Sequence, residues 1–296
     1  MNPFRKFVSE LARLFQGGKK LPPGRHPRFP RHPKLPTNAP KALIFSPHPD
    51  DECIVGGLAL RLLREAKWNS INVAVTLGSK CERRSARLRE LRAACDLLGF
   101  SLAVADWEDI NPVARRKNSL NWRAEVKTVA EILAEQRPRV IFLPHENDGH
   151  STHIGTHLLV VDALKILPAS FKCHVVETEF WGQMKDPNLL VESGIEDVGD
   201  LVAALACHVG EVRRNPYHAR LPAWMMDNVR RGAELVGGPS PCRSGFVHAG
   251  GQGGAAPDFT FATLYRHRQW SHGRLVNVMK GGTFLSRSKN AAKIFQ

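Results

Sequence analysis

From Lys41 onward the apolar positions alternate between two rhythms. Short unbroken apolar runs occupy Ala42–Ser46, Ile71–Leu77, Leu102–Ala105 and Val140–Pro144, and each suits a strand buried on both faces. Between them, apolar residues recur at helical spacing over Gly57–Ala66, over Ser85–Leu98 up to Gly99, and over Asn121–Gln136 up to Pro138. The alternation predicts an α/β fold, a Rossmann-like and mostly parallel sheet with helices on both faces. Beyond Cys173 the pattern predicts strands at Cys173–Phe180 and Phe259–Tyr265, with helices at Ile195–Val209 and Pro222–Val236. Gly237–Pro257, with seven glycines and three prolines, reads as a long loop or lid.

The first 40 residues follow a different pattern. Phe4, Phe7, Val8, Leu11, Leu14 and Phe15 fall on one face at helical spacing, and eight of the chain's twenty prolines follow or flank them. The organisation expected is a basic, Pro-rich leader over 1–40 and one catalytic-size domain over 41–296. Charge sharpens that division. The chain carries a formal +14, and nine Lys or Arg against Glu10 alone put +8 of it in the leader. A basic amphipathic helix of this kind can make weak contact with an anionic membrane, or dock on its own domain.

Composition removes several classes. With 43% hydrophobic residues the chain is too apolar for disorder throughout, and no apolar stretch approaches the roughly 20 residues of a spanning helix. Six scattered cysteines without a CxxC pair argue against a disulfide scaffold or zinc ribbon, and suggest a reducing cytosol. Basicity alone would suit a nucleic-acid or anionic-surface binding protein. No nucleic-acid motif is present and the basic residues are not interleaved with aromatics, so no specific nucleic-acid partner is expected.

The chemistry gathers at two strand ends. The first strand runs into Pro47-His48-Pro49-Asp50-Asp51-Glu52. An imidazole and neighbouring carboxylates this close repel or stay unpaired unless a cation binds, and nitrogen with oxygen donors favours zinc or a neighbouring divalent transition metal. Helix capping by Asp50 or Asp51 is the bland alternative. A second strand, Val140–Pro144, runs into a segment with four histidines, His145, His150, His153 and His157. His48, Asp51 and one of these four would give three ligands and an open position, the coordination of a catalytic site.

These motifs resemble the PIG-L/LmbE-like zinc deacetylases, which remove acetyl groups from N-acetylglucosamine-containing substrates. The resemblance rests on His48-Pro49-Asp50-Asp51-Glu52, on Arg87-x-x-Glu90 with Ala94 and Leu98-Gly99, and on Asp148-x-His150-x-x-His153. It implies zinc held by His48, Asp51 and His153, Asp50 as general base, His150 as an electrophilic histidine, and Arg87 in contact with substrate. Thr152 stands where the family often has an Asp, which puts the support of the last histidine ligand in question. The run Cys207-His208-Val209-Gly210-Glu211 and the segment Arg213–His218 resemble a sub-branch linked to amino-sugar metabolism, and make Tyr217, His218 and Arg220 substrate-contact candidates. Glu52 is read as a first-turn helix residue, and Trp107, Trp122 and Trp181 are assigned to the core. The activity implied is zinc-dependent N-deacetylation of an amino sugar or its conjugate. Hydrolysis of another amide, such as a thiol conjugate, would use the same site. The location expected is cytoplasmic, with the leader allowing peripheral attachment to a membrane.

Overall fold

A computed structural model describes residues 2–24, 32–237, 257–278 and 281–296. The strands are β1 (Lys41–Ser46), β2 (Asn69–Ala74), β3 (Ser101–Val104), β4 (Val140–Pro144), β5 (Cys173–Thr178), β6 (Leu189–Ser193), β7 (Phe261–Ser271), β8 (Arg274–Asn277) and β9 (Thr283–Leu285). The helices are α1 (Pro3–Gly18), α2 (Asp51–Ile54), α3 (Gly57–Ala66), α4 (Cys81–Leu98), α5 (Pro112–Lys117), α6 (Leu120–Gln136), α7 (Ser151–Ile166), α8 (Ile195–Ala206), α9 (Val209–Arg214) and α10 (Tyr217–Leu235). The predicted lid at Gly237–Pro257 lies almost wholly outside the described residues.

The strands join one sheet in the order β3-β2-β1-β4-β5-β7-β6-β9, with β8 added on β7. β3, β2, β1, β4 and β5 run parallel, and β7 enters antiparallel to both β5 and β6. The chain builds β1, β2 and β3 outward and then returns to lay β4 on the other side of β1, with Ala42 opposite Val140. Such a reversal opens a crevice beyond the carboxyl ends of the two strands at which it happens. Both chemical motifs follow those strands. Helices cover both faces, as predicted: α3, α4 and α8 pack over one apolar layer, and α6 and α7 over the other.

The right-hand half departs from the pattern. β6 was not anticipated, and β7 extends six residues past Tyr265 through Arg266-His267-Arg268-Gln269. Its arginines are tolerated inside a sheet because Glu177, on β5, takes bonds from both Arg266 and Arg268. Pro222 lies inside α10, which starts at Tyr217, five residues ahead of the expected position. The helix expected over Ile195–Val209 ends at Ala206, and a corner at Cys207-His208 leads into α9. That corner matters for the site.

The leader contributes α1, which has no buried residue and touches the domain at its last turn, where an atom at the Gly18 Cβ position would lie 3.7 Å from the Ala219 Cβ of α10. Farther on, Gly24 N–H donates to Ala206 C=O at 2.9 Å and His32 Nε2 lies 2.9 Å from the Asp96 carbonyl.

Glu125 on α6 is buried without a cationic partner among the described residues, and burial, with Asp109 nearby, raises its pKa to about 7. The folded chain therefore holds a proton there that the unfolded chain has released, and stability falls as pH rises from about 4.5 through 7. Glu125→Gln removes that slope. Thermal unfolding of variant and wild type should diverge in the variant's favour between pH 5 and 8, and a pH-independent difference would contradict the assignment.

Candidate active site

After β1 the chain turns through Pro47-His48-Pro49, and the carboxyl ends of β1 and β4 bring the two motifs together. Asp51 Oδ2 lies 3.6 Å from His48 Nδ1 and 3.4 Å from His153 Nε2. The His48, His150 and His153 rings lie 4.9 to 5.4 Å apart by centroid. Asp51 also accepts the His48 backbone N–H at 2.8 Å, which fixes the carboxylate within its own turn. Burial alone would raise the Asp51 pKa, but the two imidazoles beside it hold it below its ordinary value.

The two α7 histidines are set up for different work. His153 turns Nδ1 toward the Asp148 carboxylate, 3.5 Å away, while its buried Nε2 has no hydrogen-bond partner. Burial disfavours the charged ring, but Asp51 and Asp148 on either side raise the His153 pKa, and a cation at Nε2 would take the place of the proton they favour there. His150, the N-cap of α7, accepts the Thr152 backbone N–H on Nδ1 at 3.2 Å. Nδ1 is then the unprotonated nitrogen, so neutral His150 carries its proton on Nε2 and can donate but not ligate from there. Burial, with His48 and His153 nearby, lowers its pKa and keeps it neutral. His48, His150 and His153 each bring a ring nitrogen within 4.8 Å of the others, and the Asp51 carboxylate lies beside His48 and His153. The unpartnered His153 Nε2 is what a divalent ion would satisfy.

Asp50 begins α2 with φ of 124°, a left-handed value that favours glycine, and it is buried. Burial and then the charges of Asp51, Glu52 and Glu211 push its pKa well above the ordinary carboxylate range. The strained turn is braced from behind. Fully buried Glu52 accepts the Asp50 backbone N–H on one oxygen at 3.0 Å and pairs with His208 Nε2 at 2.7 Å through the other. Glu52 is therefore a brace as well as a first-turn helix residue. Cys53 Sγ adds a 3.2 Å bond to the same carboxylate.

The other sequence candidates separate by position. Arg87 and Tyr217 line the cleft; His218 is buried behind the first turn of α10, and exposed Arg220 does not line it either. Arg87 is already engaged, donating to the Leu77 carbonyl at 3.1 Å and to Glu211 at 2.7 Å. It crosses directly over Gly78, whose φ of 87° and lack of a Cβ make room for the guanidinium. His145 bonds the Gly182 carbonyl and His157 the Pro144 carbonyl at the end of β4, and neither lines the crevice. Trp122 is in the core as expected and Trp107 packs against the same core while one side of it lines the cleft, whereas half-exposed Trp181 lines the cleft. Trp181 sits 6.0 Å from His150 and edge-on to Phe180 at 5.0 Å, with Tyr217 completing an aromatic wall. Only proximity in space reveals this wall, because nothing in its spacing distinguishes Trp181 from a core residue. The cleft encloses about 610 Å³.

Residues 43–164 match the sequence profile of the PIG-L family, described as GlcNAc-PI de-N-acetylase. A relative, 1D-myo-inositol 2-acetamido-2-deoxy-alpha-D-glucopyranoside deacetylase of Segniliparus rotundus, is 29% identical over 168 residues, 45% of this chain and 53% of the relative. The matched region thus spans about half the length of that relative. N,N'-diacetylchitobiose deacetylase from Pyrococcus horikoshii shares the fold with a TM-score of 0.54 at 16% identity, over 90% of this chain and 93% of that one. So does 4-carboxy-2-hydroxymuconate hydratase from Pseudomonas putida, with a TM-score of 0.55 at 16% identity over 77% and 95%. Since a deacetylase and a hydratase both resemble this chain in fold, the reaction has to be argued from the site. Among the described residues, no helix is long and apolar enough to cross a membrane.

Proposed function

We propose that the chain is a metal-dependent N-deacetylase of an N-acetylated amino sugar or its conjugate, with zinc held by His48, Asp51 and His153. The observation that carries this reading is the meeting of His48, Asp51 and His153 at one point: buried His153 Nε2 has no hydrogen-bond partner and faces Asp51 at 3.4 Å, while Nδ1 of neighbouring His150 is taken up by the Thr152 N–H. His48, Asp51 and His153 would hold a divalent cation, which would supply Lewis-acid polarisation of an amide carbonyl and a water made nucleophilic at neutral pH. The protein's own groups do the rest. Asp50 takes a proton from the attacking water and returns it to the nitrogen as the amide C–N bond breaks, so that acetate and a free amine leave. His150 donates Nε2–H to the carbonyl oxygen as negative charge builds on it.

Arg87, through its lock on Glu211, keeps one cleft wall in place, and Trp181 with Tyr217 offers an aromatic face to the sugar ring. A cleft of about 610 Å³ lies in the range that takes a drug-sized ligand, which suits a conjugate better than a free monosaccharide. The test is direct. Zinc-loaded protein is offered N-acetylglucosamine, its 6-phosphate and an inositol-linked N-acetylglucosamine, with acetate and amine measured by mass spectrometry. Release from at least one is expected; release from none, with bound metal verified, would overturn the reading.

A further inference from the structure

We propose that α1 docks the protein on an anionic membrane surface. The helix is built to start where it does: Asn2 caps it by accepting the Phe4 N–H at 3.0 Å, and Pro3 occupies its first turn. One face carries Phe4, Phe7, Val8, Leu11 and Leu14, which are all exposed, Phe4 by 72% and Leu14 by 62%. The other face carries Arg5, Lys6 and Arg13, and Lys19 and Lys20 follow directly; Glu10 is the single acid. Five large apolar side chains aligned on one helix and left in water mark a surface that something covers.

Charge chooses the occupant. A bilayer with anionic headgroups meets both halves of this helix at once, because the apolar face sinks to the acyl boundary while the cations reach the phosphates. Nucleic acid would match the cations and leave the phenylalanines and leucines in water. A helix of 16 residues is about 24 Å long, too short to span a hydrocarbon core, so it lies along the surface.

The attachment of α1 leaves it free for this task. It is held at its C-terminal end, where Gly18 meets Ala219, and the apolar face of the preceding turns is unpartnered among the described residues. Ala219 lies in the first turn of α10, two residues from Tyr217 in the cleft wall.

Vesicle flotation of the full chain tests this without any turnover, so its outcome is independent of the proposed reaction. Wild type should float with phosphatidylcholine–phosphatidylglycerol vesicles at least tenfold better than with phosphatidylcholine alone, and added salt should weaken the binding. The double variant Phe7→Glu/Leu11→Glu should lose at least tenfold. Lys6→Glu/Arg13→Glu should lose the salt-sensitive preference for anionic vesicles. Unchanged thermal unfolding would show that both variants keep the fold. Wild type that stays unbound, or a Phe7→Glu/Leu11→Glu variant that binds equally well, overturns the proposal. So does a wild-type dimer in light scattering that this variant abolishes, which would assign the face to a second copy.

Discussion

Asp50→Asn is expected to lower kcat by about 10²–10⁴-fold while KM and bound metal stay near wild-type values. The substitution keeps the shape of the side chain and removes its proton-accepting charge. It leaves the brace intact, because Glu52 holds Asp50 through the backbone N–H. A second readout separates this from general damage. Burial and three acidic neighbours raise the Asp50 pKa, so the ionised carboxylate costs stability that increases as pH rises above the ordinary carboxylate range. Metal-free Asp50→Asn should accordingly unfold at a temperature no lower than wild type at neutral pH. Full activity in a metal-replete Asp50→Asn enzyme would remove Asp50 from the chemistry.

The second large effect concerns the metal. His153→Ala should abolish stoichiometric zinc binding, measured by metal analysis after dialysis and by calorimetric titration, with activity lost in parallel. Asp148→Asn should act more gently, weakening zinc affinity about 10–100-fold through the ligand it orients. The ordering of the two is the informative part. If Asp148→Asn binds zinc as wild type does, the contact between Asp148 and His153 Nδ1 is only packing. If His153→Ala retains zinc, the ligand set is wrong.

Much of this was legible in the sequence because the first half of the chain is locally consistent. β1 and β4 read as continuous apolar runs, and a strand buried on both faces has no other pattern to show. The histidines and carboxylates that follow them stand within a few residues of each strand end, so the crossover that puts β1 beside β4 suffices to join them.

What the sequence hid depends on partners far away. The polar half of β7 lies beyond the predicted strand, and its place in the sheet depends on Glu177, which stands opposite Arg266 and bonds both Arg266 and Arg268. Thr152 offers the last histidine no carboxylate, and Asp148, five residues ahead of His153, supplies one across the turn before α7. His208 was one residue in a loosely matching run, and its role emerges only when the α8–α9 corner arrives behind Glu52.

That brace also bears on how the site comes into being. Glu52 and His208 are 156 residues apart in the chain, a contact of the kind whose loop-closure cost makes it late to form. The matched segment, 43–164, holds His48, Asp51 and His153 but neither His208 nor Tyr217. A nascent chain released up to about residue 164 could thus gather every candidate ligand without the group that steadies Asp50. On the proposed reading, capacity to capture a metal and capacity to turn over substrate would then be reached at different lengths of polypeptide.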